Sequence, residues 1–277
     1  MSPVGGNFGQ VRGPDGQPSR LADVGQESPA RTAYPGELPR IIGHRGAAAS
    51  APENTLAGLR RAAALGVRWV EFDVKLSACG EPVLMHDDTV DRTTNGRGRV
   101  ADMALAELRR LDAGAWLGPE FVGEPVPTLG EALATAAELG LGVNVEIKPS
   151  PGQAAETARA VAEALAAAWP GDRPIPLVSS FSVEALAAAH DAAPDLPRGL
   201  LFGRPPAGWR ALADELRCAT LNAGHRHLNQ RRVGQLKAAD LPLLAYTVND
   251  AARARDLFGW GVDAVFTDVP EVMSEWL

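Results

Sequence analysis

From Arg40 onward, short apolar runs alternate with longer Ala- and Leu-rich runs. A short apolar run bounded by turn residues reads as a buried strand, and a run with apolar residues every three to four positions reads as a helix packed on it. Strands are expected at about 40–44, 68–73, 143–147, 176–179, 199–202, 218–221, 242–248 and 263–267. Helices are expected at about 53–65, 128–139, 152–169, 182–192, 206–216, 229–239 and 250–258, with a short final one after Pro270. Repeated βα units require parallel strands. Eight of them in roughly 240 residues predict an α/β fold of the closed (β/α)8 kind, a TIM barrel. A doubly wound open sheet is the alternative, but no G-x-G-x-x-G follows the first strand, which weakens its dinucleotide-binding form.

Two stretches interrupt the alternation. Residues 74–86 are too short for a helix and contain Ala78-Cys79-Gly80, so they read as a hairpin that leaves the barrel rim and returns to it. Residues 87–126 form a small insertion after the second strand, with one short helix expected at about 103–112. Its Asn95-Gly96 turn and the Gly/Pro-rich 114–127 suit a cap over the active site, because a loop this long in a compact domain is usually functional. Residues 1–38, rich in Gly, Pro, Ser and Gln, cannot bury enough apolar surface to offset their ordering entropy and are expected to be a disordered tail. That leaves 39–277 as the catalytic domain.

The net charge of −7 argues against a nucleic-acid partner. Two cysteines, Cys79 and Cys218, are too few for a disulfide framework and suggest a reducing compartment. No signal-peptide core is visible and no run approaches the ~20 apolar residues of a membrane span, so a cytoplasmic protein without integral membrane association is expected.

The polar residues collect at predicted strand ends, where parallel α/β folds place their chemistry. Glu71 and Asp73 are two apart on a strand and project into one space. Unpaired, they would repel each other. A hard divalent cation such as Mg²⁺ or Ca²⁺, which prefers oxygen ligands, removes that conflict. Glu146 brings a third carboxylate from another strand, with Lys148 two residues on. His44 and His86 are candidates for general acid and base, as histidine moves its proton most easily near neutral pH. Arg45 and Lys148 offer fixed positive charge for a phosphoryl group, or else pair with the carboxylates. Glu53 either orients a catalytic histidine, approaches the metal or serves as first-turn helix charge. Asn249 reads as a helix N-cap or a supporting group, with Thr247 and Asp268 weaker candidates of the same kind. His190, His225 and His227 have no partner pattern and read as structural.

The ordered set of motifs closely resembles glycerophosphodiester phosphodiesterases. It comprises His44-Arg45-Gly46 with Pro52-Glu53-Asn54-Thr55, Glu71-x-Asp73, His86-Asp87, Asp91-Arg92-Thr93-Thr94 and Glu146-Ile147-Lys148. Ser179-Ser180-Phe181, Tyr246-Thr247-Val248-Asn249 and Phe266-Thr267-Asp268-Val269-Pro270 continue it. The resemblance covers about 40–272. It implies a (β/α)8 barrel, metal ligation by Glu71, Asp73 and Glu146, acid/base roles for His44 and His86, and phosphate contacts from Arg45 and Lys148. It also implies a small glycerophosphodiester substrate, hydrolysed with a divalent cation to sn-glycerol 3-phosphate and an alcohol. The family usually has Trp where this chain has Tyr246, a position expected to line the alcohol side of the site.

Three rival functions are weaker. Release of a cyclic phosphate from a lysophospholipid needs an apolar trough, for which the insertion offers Trp116, Leu117, Phe121 and Val122. A glycoside hydrolase would use Glu71 and Glu146 as its carboxylate pair and leave His44, His86 and Lys148 without roles. A binding protein on a decayed barrel is disfavoured by a competent residue at every catalytic position.

Overall fold

The computed structural model of the protein describes residues 33–277. Its strands are β1 (Ile41–Gly43), β2 (Trp69–Leu76), β3 (Pro82–Leu84), β4 (Gly142–Ile147), β5 (Leu177–Ser180), β6 (Arg198–Phe202), β7 (Thr220–Gly224), β8 (Leu243–Tyr246) and β9 (Ala264–Thr267). Its helices are α1 (Leu56–Ala64), α2 (Leu105–Leu108), α3 (Leu129–Glu138), α4 (Ala154–Ala168), α5 (Val183–Ala192), α6 (Trp209–Glu215), α7 (Gln230–Lys237) and α8 (Ala251–Trp260). Eight strands pair in parallel in the order β1-β9-β8-β7-β6-β5-β4-β2, and β1 pairs with β2 to close the barrel. The expected (β/α)8 barrel is therefore the observed fold. β3 is the return arm of the predicted hairpin, antiparallel to the last three residues of β2.

The helices start where side chains satisfy free backbone N–H groups. Thr55, Thr128, Ser182, Asn229 and Asp250 each accept from an N–H of the first helical turn. Several boundaries and caps differ from expectation. α1 starts later than the expected 53: Thr55 is the cap, and residues 52–54 stay in the loop beside the rim. Asn249 does not cap α8, because Asp250 does. The insertion helix is only one turn, α2, and the segment after Pro270 is a 3₁₀ helix (Pro270–Trp276) rather than an α-helix. Inside the insertion, Val90, Val100, Leu108, Ala113 and Val126 pack with Val83 and Met85 of the hairpin into their own small core.

The register fixes the site. Asp73 of β2 lies opposite Glu146 of β4, Gly43 opposite Thr267, and Gly224 opposite Tyr246. All these pairs lie at or near the C-terminal ends of their strands, on one rim. At the other end Ile42, Trp69, Leu177, Leu244 and Phe266 form an apolar plug with Tyr34. No helix among the described residues is long and apolar enough to cross a membrane.

The expected tail lies outside the described residues over 1–32. Within 33–38 Tyr34 is packed while Ala33, Pro35, Gly36 and Glu37 are exposed: Tyr34 is 6% exposed, its ring meets Trp69 edge-on at 5.7 Å, and its hydroxyl donates to the Ile175 carbonyl. The packed chain thus includes Tyr34, four residues ahead of the expected boundary. Shortening the chain to begin at Leu38 removes a buried aromatic and its hydrogen bond, a loss on the order of 3 kcal/mol. Its thermal midpoint should fall by about 5–10 °C relative to a chain beginning at Ala33. Equal midpoints in a melting experiment would show that Tyr34 contributes nothing to stability.

Candidate active site

β1 delivers His44 and Arg45 to the rim through a tight backbone fold. A Cβ on Gly43 would meet the Gly46 carbonyl at 2.1 Å, and Gly46 itself has φ +91° against the backbone of Gly58. Only glycine allows this approach. With the loop so folded, the Arg45 N–H donates to Glu71 Oε2 (2.9 Å), and the His44 N–H donates to the Thr267 carbonyl (2.8 Å).

Glu71, Asp73 and Glu146 each offer an oxygen within 4.8 Å of the others. All three are buried, Asp73 at 1% exposure. Burial and the two neighbouring carboxylates push Glu71 well above the ordinary carboxylate range. Burial and Asp73 push Glu146 up to about 7, against the pull of Lys148. Burial works against the Asp73 charge as well, but Arg45, Lys148, His86 and the Asn54 amide overcome it and hold Asp73 at about 2. Arg45 Nε is 3.2 Å from Asp73 Oδ2, and Lys148 Nζ is 3.4 Å from Asp73 Oδ1 and 3.1 Å from Glu146 Oε1. Glu71 Oε1 and Asp73 Oδ1 are buried without a hydrogen-bond partner. Buried acceptors rarely stay unpaired, and an all-oxygen set of this kind fits a hard divalent cation.

Each histidine is backed by a carboxylate. His44 Nδ1 is 2.6 Å from Asp268 Oδ1, leaving Nε2 turned toward Glu71 at 3.9 Å. Asn249 Nδ2 donates to Asp268 Oδ2 (2.7 Å), and Asn249 Oδ1 accepts the Asp268 N–H (2.9 Å), so Asn249 holds the carboxylate that holds His44. His86, just after β3, has Nδ1 2.6 Å from Asp87 Oδ1. Burial, Arg45 and Lys148 lower the His86 pKa, against the opposing pull of Asp73 and Asp87. Arg92 donates to both oxygens of Asp87 and both of Glu53 (2.7–3.0 Å), while Glu53 Oε1 accepts from Arg45 (2.8 Å). A continuous chain of ion pairs therefore runs from His86 to Asp73. Tyr246 ends β8 with its ring edge-on to Phe181 at 5.8 Å, and its buried hydroxyl has no partner.

The structure thus gathers every residue singled out from the sequence on one rim: His44, Arg45, Glu53, Glu71, Asp73, His86, Glu146, Lys148, Tyr246 and Asn249. Four further residues were missed or ranked low. Asn54, at φ +55°, donates to Asp73 Oδ2 (2.8 Å) and accepts the Asp73 N–H (3.0 Å). Lys75 continues the Glu71, Asp73 face, is 2% exposed, and donates to Asp88 and to the Lys148 carbonyl. Its alternation with Asp73 was the available signal. Asp268 and Arg92 act across 224 and 39 residues of sequence, to His44 and Glu53 respectively, and no local pattern announces such contacts.

Residues 44–272 match the model of the glycerophosphoryl diester phosphodiesterase family. A glycerophosphodiester phosphodiesterase of Caldanaerobacter subterraneus subsp. tengcongensis is 33% identical over 237 residues, covering 84% of this chain and 95% of the relative. One from Bacillus subtilis is 33% identical over 254 residues, covering 84% and 85%. Among solved structures, an Oleispira antarctica phosphodiesterase in complex with the product sn-glycerol-3-phosphate superposes with a TM-score of 0.83 at 43% identity, covering 86% of this chain and 96% of that one.

The carboxylate trio yields a stability prediction. A buried carboxyl whose folded pKa is raised binds more protons folded than unfolded, so it weakens the cation-free protein as pH climbs above the ordinary carboxylate value. Glu71→Gln keeps an acceptor for the Arg45 N–H and removes that charge. In chelator at pH 8 it should raise the midpoint by about 2–4 °C per kcal/mol relieved, and the gain should vanish near pH 4. A lower midpoint at pH 8 would contradict mutual repulsion in the cluster.

Proposed function

Because the chain belongs to the glycerophosphoryl diester phosphodiesterase family and is a phosphodiesterase, we propose that it hydrolyses glycerophosphodiesters to sn-glycerol 3-phosphate and an alcohol with a divalent cation and histidine acid/base catalysis. One observation carries the reading: two carboxylate-backed histidines and two cations surround three buried carboxylates, two of which keep an oxygen without a hydrogen bond.

Glu71, Asp73 and Glu146 would hold Mg²⁺ or Ca²⁺, which supplies positive charge to the phosphoryl oxygens. Arg45 and Lys148 add fixed charge there without reorganising, and ion pairs on Arg45 from Glu53 and Asp73 keep its fork in place. Burial and cationic neighbours lower the His86 pKa, against Asp73 and Asp87, which favours the proton-accepting form suited to take the proton from the attacking oxygen, be it water or the adjacent glycerol hydroxyl. As the new P–O bond forms, the P–O bond to the departing alcohol breaks. His44, gripped at Nδ1 by Asp268, would give its Nε2 proton to that alcohol oxygen. Where the glycerol hydroxyl attacks, the product is a cyclic phosphate, and water then adds to its phosphorus and breaks the ring P–O bond to give sn-glycerol 3-phosphate. Tyr246 and Phe181 would line the alcohol side.

Incubation with glycerophosphocholine should release sn-glycerol 3-phosphate, detectable by a coupled dehydrogenase. Exhaustive chelation should abolish release and added Mg²⁺ or Ca²⁺ restore it, with little turnover of a lysophospholipid under the same conditions. Full turnover by protein free of metal in elemental analysis would end the cation-dependent reading.

The histidine roles separate from the charge roles by leaving group. Proton transfer by a placed side chain is worth about 10²–10⁴-fold, and a good leaving group does not need it. His44→Ala should therefore cost bis(p-nitrophenyl) phosphate hydrolysis at least about tenfold less than glycerophosphocholine hydrolysis, whereas Lys148→Ala should cost both similarly. Equal losses on both substrates for His44→Ala, with metal content intact, would remove the acid role from His44.

A further inference from the structure

The chain is acidic overall, yet residues 198–237 hold eight Lys and Arg against two Asp and Glu. That segment supplies the β6–α6 and β7–α7 connections on the same rim as the candidate active site. The two connections are side by side: Gly224 N–H donates to the Gly203 carbonyl (3.2 Å), and a Cβ on Gly224 would meet Gly203 at 2.8 Å. Arg204 and Arg226 follow these glycines, and both are exposed, as is Arg231. None of the three carries an ion pair among the described residues.

The β7–α7 connection is also anchored. Arg253 donates to the His225 carbonyl (2.6 Å) and the Leu228 carbonyl (2.9 Å) while stacking over Trp260. Arg232 donates to the His227 carbonyl (3.1 Å), and Asn229 caps α7 through the Arg232 N–H. The segment holding Arg226 is thus fixed from behind, and its charge faces water. Gly224 pairs in register with Tyr246, so this basic rim adjoins the alcohol side of the site. The carboxylate cluster lies on β2 and β4, with β5 between β4 and β6.

We propose that Arg204, Arg226 and Arg231 form a subsite for an anionic group on the departing alcohol, so that the protein prefers diesters whose head group carries phosphate. This rests on the phosphodiesterase reading and names the substrate class it favours. Exposed guanidinium groups with no ion pair among the described residues, beside the alcohol side of the site, are suited to phosphate, which they bind by paired N–H donation. A head group without charge gains nothing there, and a quaternary ammonium is repelled.

The test uses a matched pair, glycerophosphoinositol and glycerophosphoinositol 4-phosphate, which differ by one phosphate. In 0.15 M salt, kcat/KM should be about tenfold higher for the phosphorylated diester, from exposed contacts worth a few-fold each. In the triple variant R204A/R226A/R231A the ratio between the two should fall to about one. It should fall likewise for the unaltered protein in 1 M salt, where screening length drops to about 3 Å. A ratio of one or less in the unaltered protein, or a ratio that survives the triple substitution, overturns the subsite. Calorimetric binding of the same two diesters reports the preference without turnover. A preparation that binds with the predicted preference but hydrolyses neither therefore counts against the catalytic reading and not against the rim.

Discussion

Three carboxylates buried within 4.8 Å of one another cannot all stay charged without compensation. The rim around them is arranged to supply it. Arg45 and Lys148 lie on either side of Asp73, and Asn54 donates to it from a loop fixed by two glycines. These cations do not cancel the cluster. Glu71 and Glu146 remain pushed upward, and Glu71 Oε1 and Asp73 Oδ1 remain without a hydrogen bond, the latter with only the Lys148 ion pair at 3.4 Å. Such a residual deficit is destabilising in an empty fold and is relieved by a cation with oxygen preference. Stability lost at the rim is offset by the apolar plug and the helix–barrel layers below it.

The barrel divides the work around its circumference. β1, β2, β4 and β9 end in His44, Arg45, Glu71, Asp73, Glu146, Lys148 and Asp268. The hairpin returns His86 to the same side, where Asp87, Arg92 and Glu53 tie it to Arg45. β5 to β8 contribute Phe181, Arg204, Arg226 and Tyr246 instead. Parallel strands make this division available, because each brings its C-terminal residues to the same edge while its loop varies freely. The charge follows it: the buried carboxylates sit on β2 and β4, and the exposed Arg204 and Arg226 follow β6 and β7.

Much of this was legible in the sequence, for identifiable reasons. Strand alternation placed Glu71 and Asp73 on one face, and the apolar–helical rhythm gave the eight βα units, because both depend on local spacing. The same rule applied one step further would have found Lys75. Boundaries were less legible: the first helix was expected from about 53, but Thr55 caps α1 and frees Glu53 and Asn54 for the rim. Asn249 looked like a cap for the same local reason. Its actual contact, to Asp268, comes from β9 folding next to β8, as does the support of His44 by Asp268. Tyr34 was masked by the Gly/Pro-rich composition around it, although its partners Trp69, Ile175 and Ala219 lie far along the chain. Contacts between distant segments are what composition and periodicity do not encode.

The central claim is that one divalent cation sits among Glu71, Asp73 and Glu146. Crystals grown or soaked with Mn²⁺ and measured at its absorption edge test this most directly, since the anomalous signal marks the ion independently of the protein. The account predicts one strong peak about 2.0–2.5 Å from an oxygen of each of the three carboxylates, with Lys148 still contacting Asp73 or Glu146. An empty cluster at saturating Mn²⁺, or a peak bound elsewhere on the rim, would contradict it.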